Sequence, residues 1–387
     1  MNKPLFFTSL SLLYLSGILM TMNACKSKTE EAPAGSAKTQ STLLKDPLKG
    51  KPFSNGTIND FVLAEKDNQV VLLAVNNTTG MVYAIDLEDH DASKASVNAV
   101  TNPVSNFGAQ LALSMGVSAN QLSILNMETN PISKSVYLLV QNLSNNTNSV
   151  VKVSNGGNTM SVVDFSNVSY TALAFSSIGE KVNDIAWGDN TMYLSYSHPS
   201  TLVGKIASAS APFAHNGSMS SRSTTVFKSN WGSSYFTDAP LESMCYAEIG
   251  GVKRLMGVTV CAPGFSFKTS DIQGSGLLQI KEYFNLNTGS ANKVYPVVQN
   301  GKTYLIEHHF DGRITRVGEK YLDESRAQFN ANAKYILASG GSSVAAGLND
   351  EDVKIIANPG TYIISAKHTD TQLLAFNANG SLSLIAF

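Results

Sequence analysis

The chain has 387 residues with 28 Lys and Arg against 29 Asp and Glu, a net charge of −1, so neither a nucleic acid nor a polycation is implied as partner. Charged residues make up only 15% of it, and the polar surface must come largely from Asn, Ser, Thr and Gly, which favour turns over long exposed helices. Three cysteines, at positions 25, 245 and 261, leave no room for a disulfide-dense scaffold.

In chain order, Lys3 supplies a positive charge and Pro4 to Met20 an almost unbroken apolar run, followed by small residues at Ala24-Cys25. This is the n-region, h-region and cleavage site of an export signal over residues 1–24. Met22-Asn23-Ala24-Cys25 resembles the lipobox of bacterial lipoproteins, although Met22 and Asn23 depart from its commonest residues. The resemblance implies cleavage before Cys25 and a diacylglycerol on that cysteine, so that the membrane is reached through lipid, each buried CH₂ of which contributes about 0.8 kcal/mol. Residues 25–51 read as a lipid-anchored flexible linker, because they hold almost no large apolar side chain before Leu43-Leu44. No aspartate follows Cys25 directly. The expected location is the cell envelope, at the outer membrane, facing either the periplasm or the exterior.

From 52 to 387 a pattern recurs of strand, polar turn, apolar strand, second turn and returning strand. The apolar strands are 70–75, 135–140, 191–196, 253–258, 302–307 and 371–376. They are introduced by Asn-, Asp- and Gly-bearing turns such as Asp67-Asn68, Asp189-Asn190, Gly250-Gly251 and Asn300-Gly301, which suit the positive φ of tight hairpins. The spacing, roughly 50 to 70 residues, leaves room for a fourth strand, with 161–165 and 224–227 as candidates. The expected fold is all-β: a β-propeller of six or seven four-stranded antiparallel blades, closed by pairing of the chain's two ends. The stretch from Asn183 to Leu194 is similar to repeats of secreted NHL, YVTN and lactonase-like propellers, a likeness that implies fold and not activity.

No phosphate loop, nucleophile elbow, His-Glu-x-x-His or CxxC motif occurs. Gly340 to Ser343 reads as a loop. Residues ending the six apolar strands should meet at one rim, and there His198, Cys261 and His309 could ligate Zn²⁺ or copper, with Glu307 and Asp311 near. His308 and His309 point to opposite faces, so at most one can take part. Cys245 is expected opposite Met256 rather than Cys261, which argues against a disulfide. Asp184, Glu128, Asp238, Glu242 and Glu248 are acidic candidates without diagnostic spacing. Trp187 is expected in the core, whereas Trp231 and Tyr235, in an apparent loop, are candidates for binding a sugar or peptide. The reading with the best support is a non-enzymatic, membrane-anchored scaffold for an envelope protein or glycan, without a cofactor. The alternative is a metal-dependent hydrolase or lactonase-like enzyme with its site at the central channel.

Overall fold

The computed structural model describes residues 41–175, 179–198, 204–225, 229–231, 234–236, 240–259, 264–274, 276, 278–279, 282–284, 291–319 and 353–387. The side chains of 225, 229–231, 234–236, 279, 282–284 and 353 are excepted. Cys25, Cys261, Asp238 and the 340–343 loop lie outside the described residues. Among the described residues no helix is long and apolar enough to cross a membrane.

Six antiparallel sheets form the blades of a propeller. Blade 1 holds Asp60–Lys66, Gln69–Asn76, Met81–Asp86 and, as its outer strand, Val168–Ala174. Blade 2 holds Leu122–Thr129, Val136–Asn142, Thr147–Ser154 and Thr159–Val162. Lys181–Gly188, Thr191–Ser197, Gly204–Ser210 and Ser220–Thr225 make blade 3. Leu241–Ile249, Val252–Thr259, Gly264–Lys268 and Glu282–Phe284 make blade 4. Blade 5 consists of Ala291–Gln299, Lys302–His309, Ile314–Gly318 and Val353–Ala357. Blade 6 has, among the described residues, the three strands Tyr362–Lys367, Gln372–Asn377 and Leu382–Ala386.

The second strand of each blade is sandwiched between two neighbouring blades, which is why it reads as a continuous apolar run rather than an alternating one. In Val70 to Val75 the odd-numbered residues pack toward blade 3 and the even-numbered ones toward blade 2. Six such clusters fill the six seams. The turns before these strands have positive φ at Asp67-Asn68, Asp189-Asn190, Gly250-Gly251 and Asn300-Gly301, as the residue types require. Cys245 faces Met256 across the ladder. Trp187 packs in the seam between blades 1 and 3 and donates its indole N–H to Glu65 O at 3.1 Å.

Blade order departs from chain order. The first strands lie side by side in the sequence 1, 3, 4, 5, 6, 2 and back to 1. Blade 2 therefore sits between blades 6 and 1, and the strand 168–174 returns from it to complete blade 1. Among the described residues, closure does not pair the chain's two ends. The last strand, 382–386, is met instead by Val104 in an isolated antiparallel bridge to Leu382. Helix Phe107–Met115 follows that bridge. The amino-terminal side is fixed elsewhere: Leu44–Lys45 pairs with Phe213–Ala214, and Leu48–Gly50 with 168–170. Leu43 and Leu44 are buried in the seam of blades 1 and 3. All six clusters fall between Leu43 and Phe387, so the propeller carries its own complete core.

Candidate binding face at the ring axis

The first strand of each blade borders the axis, and in blades 2 to 6 it carries a β-bulge near its start. The bulges fall at Leu125, Asn183, Glu242, Asn292 and Ile363. A bulge inserts one residue and redirects its neighbours. The bulged residues Leu125 and Ile363 are exposed and Asn183, Glu242 and Asn292 half-buried, while in four blades the residue after the bulge, Asn126, Asp184, Ser243 or Lys293, joins a polar cluster at the axis. Gly257 makes room for one bulge, since a β-carbon there would lie 2.0 Å from Ser243 O.

These residues and Asp60 of blade 1 form one hydrogen-bonded network spanning five blades. Asn126 Nδ2 donates to Asp60 Oδ1 and to Phe61 O, both at 2.7 Å. Asp184 Oδ2 accepts from Met244 N at 2.7 Å and from Ser243 Oγ at 3.0 Å. Ser243 Oγ in turn accepts from Val294 N at 3.0 Å. Lys293 Nζ lies 3.3 Å from Asn126 Oδ1, 3.8 Å from Asp184 Oδ1 and 4.0 Å from Glu128 Oε1. The Asn126, Asp184 and Ser243 bonds cross seams between neighbouring blades, and Lys293 of blade 5 reaches across the axis to blades 2 and 3, so the polar groups tie the ring together at its centre.

One ammonium thus faces three carboxylates. Burial alone would favour the neutral amine, but Asp184, Asp60 and Glu128 outweigh it and hold the Lys293 pKa above its ordinary value. Burial pushes Asp60 up to about 7 against the opposing field of Lys293. It pushes Glu128 up to about 7 as well, with Asp184 adding to the effect. The same desolvation, reinforced by Asp184, raises the Cys245 thiol. The Lys293 and Glu128 side chains keep 20% and 27% of their exposure, and Asp184 only 5%. The first two therefore keep some contact with solvent, while Asp184 is a fixed part of the wall.

In ring order the mouth is rimmed by Asn59, Asn183, Glu242, Asn292, Ile363 and Leu125. Ile363 and Leu125 are 47% and 42% exposed and adjacent, which gives the rim an apolar arc facing an amide and carboxylate arc. Burial raises the pKa of Glu242. The first-strand starts pair with the second-strand ends, so the candidate metal ligands belong to this same end of the ring.

His309 is buried, its Nε2 3.1 Å from Thr315 Oγ1 and 3.5 Å from Glu307 Oε2 of its own blade. His308 faces the opposite seam, with Nδ1 2.8 Å from Ser365 Oγ, and burial lowers its pKa to about 4. His198 is half-buried in blade 3, with its ring against Gly179. Among the described residues no three His, Cys, Asp or Glu side chains are grouped to hold a metal ion. Ser229–Trp231 and Ser234–Phe236 pair as antiparallel strands, Trp231 opposite Ser234 and Asn230 opposite Tyr235, so Trp231 and Tyr235 lie in strands rather than in a loop. Glu248 lies at the opposite end, in the pair beside the Gly250-Gly251 turn.

Residue spacing does not reveal the axial network, because its members sit on different blades and share only an offset from the bulge. Asp184 and Glu128 stand out as acids, but Asp60, Asn126, Ser243 and Lys293 carry no signal of their own. Aligning the six first strands on their turns is what brings them into one column.

No family model matches the chain, and no curated protein matches it in sequence. Solved structures similar in fold include the major Malassezia sympodialis allergen Mala s 1, at 12% identity and TM-score 0.37 over 88% of this chain and 96% of that one. A structural genomics protein of unknown function from Bacteroides thetaiotaomicron VPI-5482 is similar at 8% identity and TM-score 0.34, over 89% and 75%.

Proposed function

We propose that this propeller is a non-enzymatic binding module of the bacterial cell envelope, held to the outer membrane by lipid on Cys25, which presents its bulge-rimmed mouth to a protein or glycan. The observation that carries the reading is the mouth itself. Buried Asp184, Asn126 and Ser243 are committed to stapling blades, which makes a rigid floor, while exposed Leu125 and Ile363 and half-buried Asn183, Glu242 and Asn292 make a mixed polar and apolar rim. Rigid scaffolds with adaptable polar contacts at loop level suit recognition. The export signal and the lipobox-like Met22 to Cys25 support the address, and the repeat likeness to NHL, YVTN and lactonase-like propellers belongs to the same reading.

Two measurements test it. Mass spectrometry of the processed protein should find an acylated amino-terminal cysteine, and Cys25→Ala should release the chain from membranes. An unmodified mature terminus refutes the anchor. Full-length protein should retain an envelope protein or glycan from cell extracts, and the double variant Leu125→Asp with Glu242→Lys should lose it. Retention that survives this variant removes the mouth from the proposal.

A further inference from the structure

Beside the mouth, at the seam where the ring closes, lies a cavity of about 520 Å³ between helix Phe107–Met115 and blades 2 and 6. Blade 6 has, among the described residues, only the single bridge from Val104 beside its third strand, and the helix that follows closes one side of the cavity against the starts of the first strands of blades 2 and 6. The amino-terminal end of the helix is docked on blade 6. Gly108 N donates to Gly380 O at 2.7 Å, and Phe107 packs beneath with its ring 6.0 Å from that of Phe376.

The walls divide by chemistry. Leu111, Leu122, Ile124 and Phe376 make an apolar interior, and among the described residues no charged side chain lines it. At the opening stand Asn106 and Asn379. The Asn106 side-chain oxygen already accepts from Gln110 Nε2 at 2.8 Å, and that of Asn379 accepts from Ser381 N and Oγ at 3.0 and 2.7 Å. Each amide thus has its oxygen engaged, while its NH₂ group has no acceptor among the described residues and is left as a donor. The volume falls in the range of about 300–1,000 Å³ typical of small-molecule sites, and an apolar interior with a few oriented polar groups is their usual composition.

We infer that this cavity binds a neutral, mostly apolar small molecule bearing a carbonyl or hydroxyl acceptor. The donors select an acceptor. The uncharged lining selects a neutral ligand, since an ion taken out of water here would meet no counter-charge. The site shares Ile363 with the rim but none of the axial network, and it does not depend on the mouth being a protein or glycan surface.

The test uses Nile red, a neutral apolar dye with a carbonyl, and the chain from Lys26 onward, which keeps the complete propeller core and has no acyl group to compete. Saturable, blue-shifted emission at one dye per chain is expected. Ala109→Trp and Ser123→Trp, which fill the cavity from facing walls, should each weaken binding by about tenfold or more. Phe310→Ser removes a 61% exposed side chain from blade 5 and should leave binding unchanged. Melting temperatures identify any variant that fails to fold, and the second tryptophan then decides. Non-saturating emission, binding insensitive to the folded tryptophan variants, or binding lost in Phe310→Ser would overturn the inference. So would dye uptake that occurs only as sedimentation shows a dimer, because the cavity would then belong to a contact between two copies.

Discussion

Blades 3 and 4 follow one another in the chain, and their seam is fastened at the axis by Asp184. Between blades 6 and 2 neither holds: the neighbours are distant in sequence, the bridge is the single pair Val104 and Leu382, and blade 6 contributes Ile364 rather than a polar residue to the axial column. The regular seam is built from local pattern and a charged staple, the closure seam from apolar packing and a docked helix. The two should therefore fail differently.

The largest effect is expected from Asp184→Ala. It leaves Met244 N without its acceptor, frees Ser243 and strips Lys293 of its best-buried counter-charge. Breaking a buried ionic network by removing one partner costs about 3–5 kcal/mol. Urea unfolding should report a loss of that order, with an unchanged m-value if the ring still unfolds as a unit. A loss below about 1 kcal/mol would mean that the axis is decoration and the apolar seams alone hold the ring.

The same contrast governs which elements are legible in the amino-acid sequence. Second strands such as Val70 to Val75 and Thr191 to Tyr196 announce themselves because burial on both faces leaves mostly apolar residues, and Asp189-Asn190 or Asn300-Gly301 mark their turns through positive φ. Blade order is invisible at this level. Nothing in Val168 to Ala174 says that it belongs with residues 81–86 rather than with the strand just before it, because pairing partners depend on which edge is free in three dimensions. The axial site is hidden for the same reason: Lys293 is an ordinary lysine next to Asn292 until the bulge turns it inward.

Gly108→Leu attacks the closure seam. A β-carbon at Gly108 would lie 3.3 Å from Gly380 Cα and O and 3.4 Å from Phe376 Cζ, so a larger side chain must lift the helix away from blade 6. Overpacking of this kind costs about 1–3 kcal/mol. Hydrogen exchange should quicken across Gln372–Asn377 and Leu382–Ala386 while the strands of blades 3 and 4 keep their protection. Equal loosening of both regions would show that the ring opens as a whole and that the seams are not independent.

Titration should distinguish the charged axis from the apolar closure. Asp60 and Glu128 have folded-state pKa values of about 7, above the carboxylate values of an unfolded chain, so between about pH 4 and 7 the folded state binds more protons. Their contribution is fully present below about pH 4 and is lost as pH rises to about 7, a change on the order of 1–3 kcal/mol once solvent at the mouth is allowed for. Asp60→Asn combined with Glu128→Gln should flatten the stability profile over that window and raise stability at pH 8. Persistence of the slope in the double variant would place the titrating groups elsewhere.

Leu113→Lys should do least. Leu113 is 81% exposed on the helix whose buried residues are Phe107, Leu111 and Ala112, so it contributes surface and no packing. A change within about 0.5 kcal/mol in urea unfolding is expected. The small value is informative because the helix replaces a strand. If its hold on blade 6 rests on Phe107, Leu111 and the Gly108–Gly380 contact, charge on the outer face is neutral to stability. A larger loss would show that the outer face is itself covered, and that the closure seam includes a surface beyond the ring.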